Sequence, residues 1–197
     1  MVLEQSLGGF IMSQIEPETS KSKIWEWTKA IVLAVGLAMI IRFFLFEPYL
    51  VEGSSMDPTL KDGDRLFVNK TLQFIGDIEK GDIVIIDGKE ENIRYVKRII
   101  GLPGDSVTAE QGKVYVNGRE LEEPYLEGSL MEADQVGMLL TGDFEEIEVP
   151  EESYFVMGDN RLNSMDSRNG LGLIEKDRIL GKSEFIFYPL NHFKKTE

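Results

Sequence analysis

Apolar and polar residues alternate under two different rules along this chain. From Ala30 to Ile41 the run AIVLAVGLAMII contains no polar group, Phe43 to Phe46 continue it, and only Arg42 interrupts. Coiled as a helix, residues 30–46 would reach roughly 25 Å, slightly short of the ~30 Å hydrocarbon core of a bilayer. Trp25 and Trp27 on one side and Tyr49 on the other extend the span into the interfaces that such rings favour. Lys29 and Arg42 can lead their charges outward along their own stems. A buried core helix could also be this short, and a cleaved leader would want small residues next, whereas RFFLFEPYLVEG is bulky. The pattern predicts a retained single transmembrane helix over 30–46. Lys21, Lys23 and Lys29 precede it, and after Arg42 the next basic residue is Lys61. The positive-inside rule then makes 1–29 a cytoplasmic tail and 47–197 an extracytoplasmic domain. Met12 offers a second candidate start within the tail.

After Pro48 the period shortens. DRLFVNK (64–70), DIVIID (82–87), IRYVKRII (93–100), KVYVNGREL (113–121), SYFVMGD (153–159) and ILGKSEFIFYPL (179–190) read as strands between Gly-Asp turns. Asn117-Gly118 is a hairpin signal of the two-residue kind. Helical periodicity is weak outside the anchor, except near 171–178. The expected fold is mainly β: one membrane helix followed by a compact β domain.

Charge sharpens this picture. The net charge is −14, and residues 1–46 balance four Lys/Arg against four Asp/Glu, so the acidic excess lies wholly in 47–197. Such a domain repels a phosphate backbone, which argues against nucleic acid as a partner. From Glu120 to Asn160 there is no Lys or Arg but 13 Asp/Glu. Residues about 120–152 therefore read as an acidic insertion or cap, a solvated surface lobe unless it selects substrates or partners.

Composition also narrows the chemistry. Cysteine is absent and His192 is the single histidine, so thiolate chemistry is excluded and a histidine triad or multi-histidine metal centre is disfavoured. A hydroxyl nucleophile would need another base, and a lysine serves when burial lowers its pKa toward neutrality. VEGSSMDPTL (51–60) puts Ser54 and Ser55 in a turn directly after the apolar span, although a Ser-Ser turn is ordinarily structural. In IRYVKRII, alternation places Ile93, Tyr95, Lys97 and Ile99 on one face and Arg94, Val96, Arg98 and Ile100 on the other. Lys97 is thus the one charge on an apolar face, either snorkelling at an edge or buried with a depressed pKa. GDNRLNSMDSR (158–168) packs Asp159, Asn160, Arg161, Asn163, Ser164, Asp166 and Arg168 into a short loop, either shaping a site or simply solvated.

Together these segments resemble the type I signal peptidases. GSSMDPTL resembles that family's nucleophile box, RYVKRIIGLPGD its lysine box and GDNRLNSMDSR a third, with GDIVII (81–86) a weaker match. The resemblance runs from the anchor to about residue 187, omitting the acidic insertion. It implies a β domain of the signal peptidase and LexA-like type, and a membrane-bound serine endopeptidase that removes signal peptides from secretory pre-proteins. Ser55 would be the nucleophile and Lys97 its general base. Ser164 would hydrogen-bond the lysine amine, and Asp159, Asp166, Arg98 and Arg168 would be scaffold ion pairs. The Ser55 N–H would donate to the oxyanion. Val51, Met56, Tyr95 and Val96 would line the substrate pocket, with Met56 able to touch both lipid and core. No metal or organic cofactor is needed. One departure stands out: some relatives carry a serine two positions before the nucleophile, and here that position is Gly53, which leaves the second oxyanion donor unassigned.

Three other readings fit less well. A self-cleaving LexA-like regulator would carry a helix-turn-helix before its β domain. An anchored binding factor without catalysis would not need both Ser55 and Lys97. An S-x-x-K acylase would have to use Ser20 and Lys23, which fall in the predicted tail.

Overall fold

The computed structural model describes residues 20–44, 46–71, 77–90 and 93–196. Most of the predicted tail lies outside them. The chain divides into two units, Met1–Ile41 and Arg42–Glu197.

Helix α1, Ser20–Phe44, contains the apolar run. Straight-chain and small residues with no proline make this segment a good helix former. Ile31, Val32, Leu33, Val35, Leu37 and Met39 are all exposed, as expected when apolar residues surround a helix instead of forming a stripe. Among the described residues no helix is long and apolar enough to cross a membrane. The side chains of 40–46, the end of the predicted span, lie outside the described residues.

The second unit is built from β-strands. Its larger sheet holds β1 (Phe46–Leu50), β2 (Arg65–Asn69), β3 (Ile83–Asp87), β4 (Arg94–Gly101), β9 (Ser153–Met157), β10 (Ile174–Glu175), β11 (Ile179–Tyr188) and β12 (Lys194–Lys195). The order is β1-β2-β11-β3-β4-β9-β10, with β12 also on β11. A four-stranded sheet takes β5 (Ser106–Glu110), β6 (Lys113–Val116), β7 (Arg119–Glu120) and β8 (Phe144–Glu148), ordered β7-β6-β5-β8. All six predicted strand segments are present. β1 lies at the end of its sheet and pairs Pro48 with Phe67, and an edge is where a residue lacking an N–H is tolerated. Asn117 and Gly118 both adopt positive φ, 53° and 71°, the backbone of a primed hairpin turn.

Alternation works as expected in β2, where Leu66 and Val68 turn inward to meet Val51, Met56, Leu60, Ile83, Ile85 and Ile186. Each fully buried side chain of this size contributes roughly 1.5–3 kcal/mol. Met56 is 1% exposed, so it is a core residue and not one that faces lipid. A second cluster around Val107, Val114, Phe155 and Met157 fills the smaller sheet.

Three expectations need correction. The helical stretch near 171–178 is the short strand β10 followed by one 3₁₀ turn, Lys176–Arg178. Arg98, expected on the more polar face of β4, is 1% exposed, because β4 is covered on both faces from Lys97 onward. The acidic insertion is more than a solvated lobe. It contains helix α2, Glu127–Gln135, lends β8 to the smaller sheet, and buries Leu126, Ala133 and Leu140 as a small core of its own.

Candidate active site

Two elements meet at the site: strand β4 and the turn that follows β1. Residues 51–60 are not extended. Val51 closes the turn region, its N–H donating to the Asp64 carbonyl at 2.8 Å and its carbonyl accepting the Gly63 N–H at 2.9 Å, and the N–H of Gly53 donates to Asp62 Oδ1 at 2.8 Å. Gly53 has φ +90°, a conformation that side-chain-bearing residues adopt only under strain. A serine at this position would therefore carry a backbone cost in this turn.

The turn brings Ser55 to Lys97. Lys97 Nζ donates to Ser55 Oγ at 2.7 Å and to the carbonyl of Val96 at 2.9 Å. Lys97 is 2% exposed, which settles the choice left open by the sequence in favour of burial over snorkelling. Burial lowers its pKa to about 8, against the opposing pull of the Asp166 and Asp159 carboxylates. A substantial fraction of the amine is therefore neutral near pH 8, and a neutral amine is the form that can accept a hydroxyl proton.

The 158–168 loop holds the pair in place. Asn160 donates its backbone N–H to the Ser55 carbonyl at 3.0 Å and its side-chain amide to the Ser54 carbonyl at 3.1 Å. Asn163 donates to the Ser54 hydroxyl at 3.0 Å. Asp159 takes both Nε and Nη2 of Arg98, at 2.9 and 2.7 Å. Asp166 receives Arg168 at 2.9 and 2.8 Å and the Gly158 N–H at 3.0 Å. Burial works to raise the Asp166 carboxyl, but Arg168 and Gly158 hold it below the usual carboxylate range. Gly158 is required by space: a Cβ there would lie 2.4 Å from the Ser55 carbonyl oxygen and 2.2 Å from Ser164 Oγ.

Ser164 departs from expectation. Its buried hydroxyl lies by the Asp166 carboxylate, which it helps keep ionised, and makes no hydrogen bond to the lysine amine. The side chain packs over Gly158 instead, while the Lys97 amine is engaged by Ser55 and Val96.

Beside the pair lies a cavity of about 300 Å³, lined by Tyr49, Leu50 and Val51 from β1 and the residue after it, by Arg94, Tyr95, Val96 and Lys97 from β4, and by Ser55 and Met56 from the turn. All four residues expected to contact substrate line it. Two open strand edges face it. Among the described residues β1 pairs only with β2, and β4 joins β9 only from Arg98 onward. The Arg94 guanidinium stands 5.2 Å from the Tyr49 ring centroid, joining the two walls.

Several residues here were not singled out from sequence. Asn160 was legible only as a turn former. Arg161 belonged to the noted loop, but its partners Glu123 and Tyr125 lie in the insertion, and no local pattern links segments so far apart.

Known proteins resemble this chain along most of its length. The family model described as "Signal peptidase, peptidase S26" matches residues 24–188. "Signal peptidase I" of Bacillus licheniformis is 58% identical over 186 residues, covering 94% of this chain and 100% of that protein. "Signal peptidase I T" of Bacillus subtilis strain 168 is 60% identical over 172 residues, or 87% and 89% of the two chains. A crystal structure of a signal peptidase I from Enterococcus faecalis V583 is 32% identical with a TM-score of 0.50, covering 55% of this chain and 97% of that one.

Proposed function

The chain belongs to the signal peptidase family S26, and from that premise we propose that Ser55 and Lys97 are its catalytic dyad. It is a type I signal peptidase, a serine endopeptidase that removes signal peptides from secretory precursors. The observation that carries the residue assignment is the 2.7 Å contact between Lys97 Nζ and Ser55 Oγ with the lysine buried.

In this reading neutral Lys97 accepts the Ser55 hydroxyl proton as Oγ adds to the scissile carbonyl carbon. The backbone N–H of Ser55 donates to the resulting oxyanion. Lys97 then passes its proton to the departing amine, and the C–N bond breaks to leave an acyl-serine. A water, deprotonated by the same amine, adds to the acyl carbon, the C–Oγ bond breaks as Lys97 returns its proton to Ser55, and the signal peptide leaves with a carboxyl terminus that ionises to solvent. Asp159, Asp166, Arg98 and Arg168 hold the frame and exchange no proton with substrate. The precursor lies extended between the open edges of β1 and β4, as an added strand, and Val51, Met56, Tyr95 and Val96 admit small side chains. Bulky residues at both small positions, cleaved as fast as an A-x-A type site, would count against this pocket.

The apolar helix supports a single-pass anchor over 30–46, with the amino-terminal side cytoplasmic and 47–197 outside. Retention of the full chain in carbonate-washed vesicles, with protease digesting only the 47–197 side, is the expected result. Release by the wash would remove the anchor from this reading.

The dyad is tested by cleaving a labelled precursor with the detergent-solubilised chain beside Ser55→Ala and Lys97→Ala. Both variants, folded, should lose activity. Cleavage by Ser55→Ala would refute the assignment.

A further inference from the structure

The acidic insertion reaches the site through two buried arginines. Tyr125 stacks against Arg98, with the guanidinium carbon 3.8 Å from the ring centroid. Arg98 spends its in-plane donors on Asp159 and on the Gly81 carbonyl at 2.7 Å. The ring covers the face where a guanidinium has no donor to offer. Arg161, whose side chain is 0% exposed, gives Nη1 to Glu123 at 3.0 Å and to Thr141 Oγ1 at 3.0 Å. Its Nη2 pairs with the other Glu123 oxygen and meets the Tyr125 hydroxyl at 3.3 Å. That hydroxyl donates to Glu123 at 2.7 Å. Burial opposes the charge of Arg161, and Glu123 more than offsets it.

Position along the chain gives these contacts their meaning. Arg98 follows Lys97 in β4, so alternation sends the two side chains to opposite faces, and a ring that holds Arg98 pins the strand from behind the lysine. Arg161 follows Asn160, whose N–H holds the Ser55 carbonyl, and Arg161 Nε returns to the Gly158 carbonyl at 3.2 Å. One arm of the insertion thus bears on each member of the dyad.

We infer that Glu123 and Tyr125 are positioning residues for cleavage, Tyr125 holding Lys97 through Arg98 and Glu123 holding Ser55 through Arg161. This rests on the Ser55–Lys97 reading. It gives the acidic insertion a role in the geometry of the reaction, apart from any choice of substrate. Neither residue touches the reacting atoms.

The test measures kcat, KM and the pH midpoint of kcat/KM for precursor cleavage by the full chain. Tyr125→Ala and Glu123→Ala should lower kcat by about a hundredfold, the cost of a small misplacement of reacting groups, with little change in KM. The midpoint of Tyr125→Ala should move up, because a loosened β4 admits water to the Lys97 amine. Tyr125→Phe keeps the ring over Arg98 and loses only hydroxyl contacts, so it should fall less than about tenfold. Lys113→Gln, at an exposed ion pair with Glu120, is the control for a change elsewhere in the smaller sheet. If either alanine variant does not fold, Tyr125→Leu, which keeps more apolar bulk than alanine, and Glu123→Gln, which is isosteric, are read in the same way. Folded variants with parental kcat and midpoint overturn the inference, and so does a loss confined to KM, which would mark substrate contacts. Ser55→Ala and Lys97→Ala run alongside: if they are inactive while the Tyr125 and Glu123 variants cleave normally, the dyad stands and only this inference falls.

Discussion

Arg98 grips both carboxylate oxygens of Asp159, at 2.9 and 2.7 Å, and each side chain is 1% exposed. This pair ties the strand bearing Lys97 to the loop whose Asn160 holds Ser55. A dry ion pair of this kind does more for geometry than for net stability, because desolvation offsets much of the attraction.

Breaking one side of that pair is therefore expected to be costly. Asp159→Ala should destabilise the domain by about 3–5 kcal/mol, the range for an orphaned buried charge. The double variant Arg98→Met/Asp159→Leu should recover part of that stability but not the activity. Urea unfolding and precursor cleavage, measured on the same preparations, check both statements.

Activity should rise with pH. Lys97, lowered to about 8, loses its proton through that region, so kcat/KM should climb on the acid side with a midpoint near 8. Lys97→Ala should lose about 10²–10⁴-fold, the usual worth of a positioned base. A flat profile from pH 6 to 9 would contradict the lysine-base mechanism.

The same burial predicts a stability cost. Between about 8 and the ordinary lysine value of 10.5, the unfolded chain binds a proton that the folded chain does not. Folded stability therefore increases with pH across that window, and below it the full penalty is present. Lys97→Met should stabilise the domain at pH 7 by on the order of 1–3 kcal/mol, while lowering cleavage as far as Lys97→Ala does. The gain should shrink as pH approaches 10. Urea midpoints at pH 7 and pH 10 test the sign.

Two glycines should fail for different reasons. At Gly158 an added Cβ meets the Ser55 carbonyl oxygen at 2.4 Å, so Gly158→Ala should displace the nucleophile and cost about a hundredfold in kcat. At Gly53 no atom lies within 4 Å of the added Cβ, and the cost comes from its φ of +90°. Gly53→Ala should lower stability by roughly 1 kcal/mol, with a smaller effect on rate. Thermal melts and cleavage rates of the two variants separate the cases.

Local pattern by itself determined most of the elements, and the resemblance of short boxes pointed to both proposed reactive residues. Period-2 runs became β2, β3, β4, β6, β9 and β11, and Asn117-Gly118 became the hairpin turn, because strand pleat and positive φ depend on neighbouring residues alone. Ser55 and Lys97 were legible through short boxes of adjacent residues. Tertiary structure decided what alternation could not. The solitary charge on an apolar face could have been an edge lysine, and the sheet order that places β4 between β3 and β9 buries it. Arg98 read as polar-facing because its counter-ion, Asp159, lies 61 positions away along the chain. The insertion read as a solvated lobe because acidic residues usually seek water. Glu123 is drawn inward by the buried Arg161, 38 positions on, and Tyr125 by the open face of Arg98. Charges satisfied by distant partners leave no periodicity in a sequence, and only the fold shows which of them have left the solvent.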